Sequence, residues 1–407
     1  MDNLLPPLRV CHVAYSFYES DNRVIRYAEA LAARGDHVDV IALRRDGAPR
    51  ATVSNGVSVL GIQTRARNEE SAWLYLLKIL WFFAKTFAVL TMRSLRRRYD
   101  LVHVHNIPDF LVFVALVPRL LGARVILDIH DLVPELYSGK FGKADTSPLL
   151  RALLRVEKLS CRFAHYVIIA NHLWLDRVVL RSAQADKCAA LLNYPDVDMF
   201  RATQNERPLF TDTFVFLYPG SLNYHQGLDL AIDAFADARQ AMPGSELHIY
   251  GDGASLSQLK RQVQDLGLQE CVLFMARVPL SSIQGVLSTA SVGIVPKRAD
   301  GFGNEAFSTK LLEFMVAAVP CIVARTKIDA HYFHQDVVKF FTPGSVSSLS
   351  QQMVWAFRNR LELRVMAKAA AEFATKFHWD NHKGTYLSIV DRLVHPRAAA
   401  ASMARGI

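Results

Sequence analysis

Short runs rich in β-branched residues alternate with longer stretches of helical periodicity along nearly the whole chain. No other feature restricts the fold as strongly. Parallel strands need long crossovers, and a helix is the usual one, so this alternation predicts an α/β protein with parallel sheets. In the first half the expected strands are Val10–Tyr15, Val38–Leu43, Val57–Ile62, Leu101–His105, Val125–Ile129, Tyr166–Ala170 and Cys188–Leu192. Val24, Tyr27, Ala28 and Leu31 share one helical face before Gly35, and Leu150, Leu153, Leu154, Val156 and Leu159 mark another helix. A break at Asn193-Tyr194-Pro195 and a polar stretch Arg201–Pro208 precede a second series at Phe214–Pro219, Leu247–Tyr250, Val272–Phe274, Val292–Val295, Cys321–Ala324 and Val338–Phe341. Two doubly wound, Rossmann-like domains facing a central cleft are expected, since such sheets bind ligands at the carboxyl ends of their strands.

With 407 residues the chain has room for two or three domains and their cores. The five cysteines are odd in number and scattered, with no C-x-x-C pair to chelate zinc or form a redox couple. A reduced, cytoplasmic compartment fits that usage. No basic region precedes the first apolar stretch, so a secretory signal is not expected.

The net charge of +9 is not spread evenly. From Ala72 to Met92 the chain holds 17 apolar residues, two Thr and two Lys, followed by Arg93, Arg96, Arg97 and Arg98. The length suffices for a membrane span, but Lys78 and Lys85 would each cost about 2.5–3.5 kcal/mol in hydrocarbon, and a span would split one sheet across the bilayer. A span is therefore rejected. On a helix Lys78, Lys85, Arg93 and Arg96 fall within about 80° of arc beside a broad apolar surface. Residues 73–98 suit a helix lying on an anionic membrane with Trp73, Trp81, Phe82 and Phe83 as anchors, or a domain helix packed on its sheet. Nucleic acid is not an expected partner, because the aromatics are not interleaved with the charges as stacking platforms.

The most informative stretch is Val295–Pro320, V-P-K-R-A-D-G-F-G-N-E-A-F-S-T-K-L-L-E-F-M-V-A-A-V-P. A strand ends, a glycine-containing loop follows, and Ser308 or Thr309 is placed to cap a helix carrying Leu311, Leu312, Met315 and Val316 on its apolar face. Loop amides and a helix N-terminus stabilise phosphate oxygens. Glu305 lies just before that helix and Glu313 inside it, eight positions on.

Here the chain resembles the family 4 glycosyltransferases, retaining enzymes of the GT-B fold, whose hallmark is a pair of glutamates separated by seven residues. The resemblance runs from about Arg9 to Val394. It implies residues 1–195 as an acceptor-side domain, 196–375 as the nucleotide-sugar domain, and 376–407 as a helix crossing back to the first domain plus a tail. It further implies that Glu305 meets the donor sugar at the reacting face and that Glu313 binds the ribose. His130, in Ile129-His-Asp-Leu-Val-Pro-Glu135, aligns with the family histidine that contacts the donor sugar. Tyr218-Pro-Gly-Ser-Leu-Asn-Tyr-His-Gln-Gly227 resembles the opening loop of the nucleotide domain, bringing in Gly220, Ser221 and His225. The family commonly has Arg and Lys where this chain has Ser221 and Gln226, so two charges on the diphosphate are missing. Lys310 and His225 are the substitutes, with Lys297 and Arg298 further out. Tyr250-Gly-Asp-Gly253 and Arg277-Val278-Pro279 resemble segments lining the base pocket, which makes Gly251, Gly253, Arg277 and Val278 donor-side candidates.

The family's Gly-Gly loop after the first strand is replaced by Glu19-Ser-Asp-Asn-Arg23. Asp21, Arg23, His105 and Asp131 are the acceptor-side candidates, with helix capping as the alternative for Asp21. Asp196-Val-Asp198 spells a D-x-D pair but lies in the expected linker, so neither a metal nor any other cofactor is expected. The reading is a retaining glycosyltransferase moving sugar from a nucleotide-diphosphate donor to a hydroxyl, on a lipid-linked or other glycan acceptor, at the inner face of the cytoplasmic membrane. A nucleotide-sugar epimerase of the same fold and a non-catalytic sugar-nucleotide-binding scaffold are the alternatives.

Overall fold

The computed structural model describes residues 6–65, 72–141, 147–195, 200, 213–279 and 282–396. Asp196, Asp198, the stretch Arg201–Pro208 and the alanine-rich tail lie outside the described residues. The chain divides into two compact units, Met1–Asn193 with His382–Ile407, and Tyr194–Asn381.

In chain order the first unit holds β1 (Arg9–Phe17), α1 (Asn22–Arg34), β2 (His37–Arg44), β3 (Ala51–Ser54), β4 (Val57–Thr64), α2 (Ala72–Arg96), β5 (Leu101–His105), α3 (Leu116–Leu120), β6 (Arg124–Ile129), α4 (Val133–Phe141), α5 (Pro148–Phe163), β7 (Tyr166–Ile169), α6 (His172–Arg181) and β8 (Cys188–Ala190). The strands form one sheet in the order β3-β4-β2-β1-β5-β6-β7-β8. Every pairing is parallel except β3 with β4. The central strands are buried on both faces, as parallel sheets covered by helices require. Strand β3 was not expected from the sequence. Its signal was Asn55-Gly56, both with positive φ (46° and 80°), which is the turn chemistry of a two-residue hairpin.

The second unit holds β9 (Phe214–Pro219), α7 (Leu228–Ala238), β10 (Ser245–Tyr250), α8 (Leu256–Asp265), β11 (Val272–Met275), α9 (Ile283–Thr289), β12 (Val292–Val295), α10 (Thr309–Val316), β13 (Cys321–Ala324), α11 (Lys327–Tyr332), β14 (Lys339–Phe341), α12 (Val346–Arg358) and α13 (Arg360–Ala374). Its six strands run in the order β11-β10-β9-β12-β13-β14, all parallel. Side chains alternate between two cores: Phe216 points into one with Phe235, Ile249 and Leu349, while Leu217 points into the other with Leu311, Phe314 and Val323. The last helix, α14 (Trp379–Val394), counts with the first unit from His382 onward, where buried Tyr386 stacks on Tyr27 at 4.3 Å.

Both strand orders reverse direction once, between β1 and β5 in the first unit and between β9 and β12 in the second. Those reversals open a crevice at the carboxyl ends of the flanking strands.

Helix α2 buries Ile79, Phe82, Thr86, Leu90 and Ser94, one stripe at helical spacing. It links β4 to β5 inside a single sheet, so it lies along the unit, although it is long and apolar enough to cross a membrane. Trp73 is 76% exposed and Trp81 58%, and Leu74, Leu77, Leu80, Met92 and Leu95 are exposed with them. Phe82 is a correction to the set of anchors: it is fully buried against Tyr15. Arg93 is a second correction, because it pairs with Asp39 at 3.2 Å and so leaves the cationic stripe. Arg96, Arg97 and Arg98 remain exposed.

Candidate active site

In the second unit the loops after β9, β10 and β12 are tied to one another by backbone hydrogen bonds. Gly220 N donates to Tyr250 O at 2.9 Å, Leu222 N to Asp252 O at 3.0 Å, and Arg298 N to His225 O at 3.0 Å. The glycines follow from this closeness. Gly220 has φ 149°, and a Cβ on Gly251 would lie 1.8 Å from the Gly220 carbonyl oxygen. A Cβ on Gly253 would fall 2.5 Å from the Leu222 carbonyl oxygen. The backbone that these glycines admit is that of the neighbouring loop.

The loop after β12 carries Glu305, which is buried, and its position is fixed from two sides. Asn304 accepts from Lys327 N through Oδ1 (2.8 Å) and from Ile328 N through its carbonyl (3.0 Å), docking the loop on the start of α11. From beneath, buried Lys297 donates to Ala306 O at 2.8 Å and pairs with buried Asp329 at 2.8 Å. Lys327 Nζ reaches Glu305 Oε1 at 3.1 Å. Glu313 is half-buried on α10. Ser308 occupies the N-cap position of that helix, yet its side chain makes no capping hydrogen bond, and Thr309 is the first helical residue. The expected side-chain cap is thus absent, and the first-turn amides of α10 are not occupied by it.

Lys310 reaches Gln226, one of the two positions where the resemblance would have a basic residue. Its Nζ donates to Tyr218 Oη at 2.8 Å and Gln226 Oε1 at 3.0 Å, and it would be 2.9 Å from a Cβ on Gly220. Burial lowers its pKa from 10.5 to about 7, Glu313 opposing that shift and Lys297 adding to it. The other substitutes make contacts within the second unit. Lys297 is committed to Asp329, and Arg298 to Asp229 and the Tyr224 ring. His225 receives a hydrogen bond from Gln226 Nε2 (3.0 Å), packs edge-on against Phe302, and is pushed down in pKa by burial, Asp300 opposing. Ser221 is exposed beside them. Arg277 is exposed and Val278 half-buried beyond β11, at the sheet edge, two strands away from β9.

In the first unit the reversal between β1 and β5 collects Asp21, Arg23, His105 and His130. Asp21 caps α1, accepting from Val24 N at 3.3 Å and from Ser16 Oγ at 2.7 Å, so the capping reading holds for it. Arg23 is buried rather than open to an acceptor: Nε and Nη2 bond the two oxygens of Asp128 at 2.8 and 2.7 Å, and Nη1 bonds Leu191 O at 2.7 Å. Breaking such a buried pair by removing one partner costs about 3–5 kcal/mol. His105 is buried as well, its Nδ1 3.0 Å from Asp128 Oδ2. His130 sits at the rim with Nε2 2.9 Å from the same oxygen, while its backbone N–H is held by Asn106 Oδ1 at 2.7 Å. Asn106 also donates to Asp131 O at 2.8 Å and to Asp109 at 2.7 Å. Burial raises the pKa of Asp131, and lifts that of Asp109 to about 7.

Asp128 and Asn106 were missed as site residues. The signal for Asp128 was present, since an acid inside the buried strand V-I-L-D-I demands partners. Asn106 gave no comparable signal, because a side chain that clamps a loop reads in sequence like any polar strand end.

Among the described residues, two clusters have metal-ligand composition. Ring nitrogens of His12, His103 and His105 lie within 4.8 Å of one another, but the His103 and His105 rings stack at 4.3 Å and 22°, so their in-plane lone pairs run side by side instead of converging. In the other, His105, Asp128 and His130, both carboxylate oxygens already meet the Arg23 guanidinium.

Residues 21–193 match the family model of the glycosyl transferase 4-like domain, and residues 200–373 that of glycosyl transferases group 1. The D-inositol 3-phosphate glycosyltransferase of Acidothermus cellulolyticus is 24% identical over 93% of this chain and 86% of its own length. The GDP-mannose-dependent alpha-(1-6)-phosphatidylinositol monomannoside mannosyltransferase of Mycolicibacterium smegmatis is 31% identical over 32% of this chain and 35% of its own. The chain spans 18% and 35% of the length of the first curated relatives it matches. Among solved structures, the sucrose-phosphate synthase of Thermosynechococcus elongatus superposes with a TM-score of 0.76 at 17% identity, over 95% of this chain and 99% of that one. Anabaena HepE in complex with UDP-glucose superposes at 0.70 with 16% identity, over 95% and 100%. The last two show the fold alone. With a 4-like domain in its first unit and a group 1 domain in its second, the chain belongs to the family 4-type glycosyltransferases of the GT-B fold.

Proposed function

We propose that this enzyme is a retaining glycosyltransferase that takes a sugar from a nucleotide-diphosphate donor, UDP- or GDP-linked, and places it on a hydroxyl of a lipid-linked glycan at a membrane surface. The observation that carries the donor half is the meeting of Lys310, Gly220 and the α10 N-terminus with the loop that buries Glu305. The second unit holds the nucleotide, Glu313 on the ribose and Lys310 with the α10 amides on the diphosphate. Glu305 of the second unit meets the sugar, and His130 is the substrate contact assigned to the first unit. The bond from the anomeric carbon to the diphosphate oxygen breaks, the acceptor oxygen bonds that carbon on the same face, and the acceptor proton passes to the leaving diphosphate. The chain contributes placement and charge stabilisation and no covalent nucleophile. No metal takes part.

Support for the membrane half comes from α2, whose exposed tryptophans and leucines adjoin Arg96–Arg98 with no acid from Trp73 to Arg98. Anionic lipids of a cytoplasmic leaflet match that charge. Incubation with a panel of UDP- and GDP-sugars, with and without lipid-linked acceptor, tests the reading, with the anomeric configuration of the product read by NMR. Product released without acceptor would point to an epimerase, binding without turnover to a scaffold, and an inverted anomer would refute retention.

A further inference from the structure

We propose that Asp128 is a positioning residue for His130: by accepting from Nε2 it turns the imidazole so that Nδ1 is the nitrogen offered to substrate. The inference rests on the reading of His130 as a residue that meets substrate, and it deepens that reading.

Asp128 is fully buried on β6, and its Oδ2 is the common acceptor for Arg23 Nε at 2.8 Å, His130 Nε2 at 2.9 Å and His105 Nδ1 at 3.0 Å. A carboxylate that accepts from a guanidinium is ionised and has no proton to give. Each of its other two partners must therefore present an N–H. His130 Nε2 and His105 Nδ1, 3.1 Å apart, are two donors sharing one oxygen rather than a bonded pair. The assignment propagates inward. With its proton on Nδ1, neutral His105 keeps a lone pair on Nε2, which accepts from His12 Nδ1 at 3.1 Å. One acid thus fixes the tautomers of three histidines on three strands or strand ends.

For His130 the consequence is directional. Nε2 faces inward, the side chain is 21% exposed, and Asn106 holds the backbone, so ring and main chain are anchored separately. The groups facing the ring are Asp128 on β6, His105 on β5, Asp21 and Arg23 at the start of α1, and Asp131 beside it. Burial and Arg23 work against the imidazolium. The charge and hydrogen bond of Asp128, helped by Asp21, outweigh them and raise the His130 pKa above its ordinary value. Held in this way, His130 presents an Nδ1 that donates toward substrate oxygen while the ring is protonated.

The test uses the full chain labelled with 15N in its histidine rings. The His130 signal is identified as the one lost in H130Q. In the unsubstituted protein it should titrate above about 6.5 and show the Nε2–H tautomer once neutral. Titration at or below that value, or an Nδ1–H tautomer, overturns the proposal, and this arm needs no change at Asp128. In D128N the His130 titration should move down. With the donor sugar turned over in the panel, kcat should fall about 100-fold or more, and its alkaline limb should shift to lower pH. A folded D128N protein whose limb stays in place would mean that Asp128 is merely structural. Unaltered transfer by H130Q would overturn the substrate role of His130 itself, which separates failure of the functional reading from failure of the clamp.

Discussion

Two glutamates eight positions apart look alike in sequence, and their surroundings differ in the structure. Glu305 is buried on a loop pinned by Asn304 and Lys297, whereas Glu313 is half-buried on α10. A carboxylate that hydrogen-bonds the ribose contributes equally in ground and transition states, so Glu313→Ala should raise the donor KM about 10- to 100-fold with little change in kcat. Glu305→Ala should instead lower kcat more than KM, because its contact matters most when charge develops on the sugar. Steady-state kinetics of the two variants check this; unchanged KM in folded Glu313→Ala protein would remove the ribose assignment. Lys310 gives a prediction in pH. With a pKa near 7 in the free protein it is largely neutral at pH 8–9, and a bound diphosphate must recharge it, so binding takes up a proton. Affinity for a nucleoside diphosphate should fall up to tenfold per unit as pH rises above about 7, a range where the diphosphate itself is fully ionised. Calorimetry in buffers of different ionisation enthalpy reads the proton directly. Lys310→Met should flatten the profile and weaken diphosphate far more than nucleoside, and equal losses for both would make Lys310 a packing residue.

Helix α2 shows how one element can satisfy two demands. Its buried stripe of Ile79, Phe82, Thr86, Leu90 and Ser94 attaches it to the unit, and Gln63 grips it through the Lys78 carbonyl at 3.0 Å. The opposite face keeps Trp73, Leu77, Trp81 and Leu95 in the open. A helix needs only about 100° of apolar surface to pack on a sheet, so apolar residues on its far side require a different explanation. Sedimentation with vesicles should show binding that rises with anionic lipid content and weakens with salt. Each exposed basic residue contributes about 1 kcal/mol near such a surface, so changing Arg96, Arg97 and Arg98 to Gln together should reduce binding about 100-fold. Arg93 is left out because Asp39 holds it. Binding indifferent to lipid charge would end the electrostatic part, and no binding at all would make the exposed face a contact for something other than lipid.

For the molecule as a whole, a ligand that binds only the folded chain stabilises it by about 2.7 kcal/mol at 100 times its Kd. Thermal shift with nucleoside diphosphates should therefore single out the preferred base, and EDTA should leave both the shift and the transfer unchanged if Lys310 and the α10 amides carry the phosphate charge. Loss of the shift on chelation would return metal to the site. The sequence by itself determined the parallel α/β class, nearly every strand and the glutamate pair, because these depend on period and spacing, which are local. Strand β3 was also legible, in Asn55-Gly56, though easily passed over. Only the tertiary structure decided which charges are committed. Arg23, Lys297, Arg298 and Arg93 all look like cations ready for a ligand, and each is neutralised by an acid distant in the chain, namely Asp128, Asp329, Asp229 and Asp39. The same holds for Asp128 as the shared acceptor of His105 and His130, and for Gly251 facing the Gly220 carbonyl. Charge compensation and close backbone approach are pairwise facts about residues that only folding brings together, whereas periodicity is written along the chain.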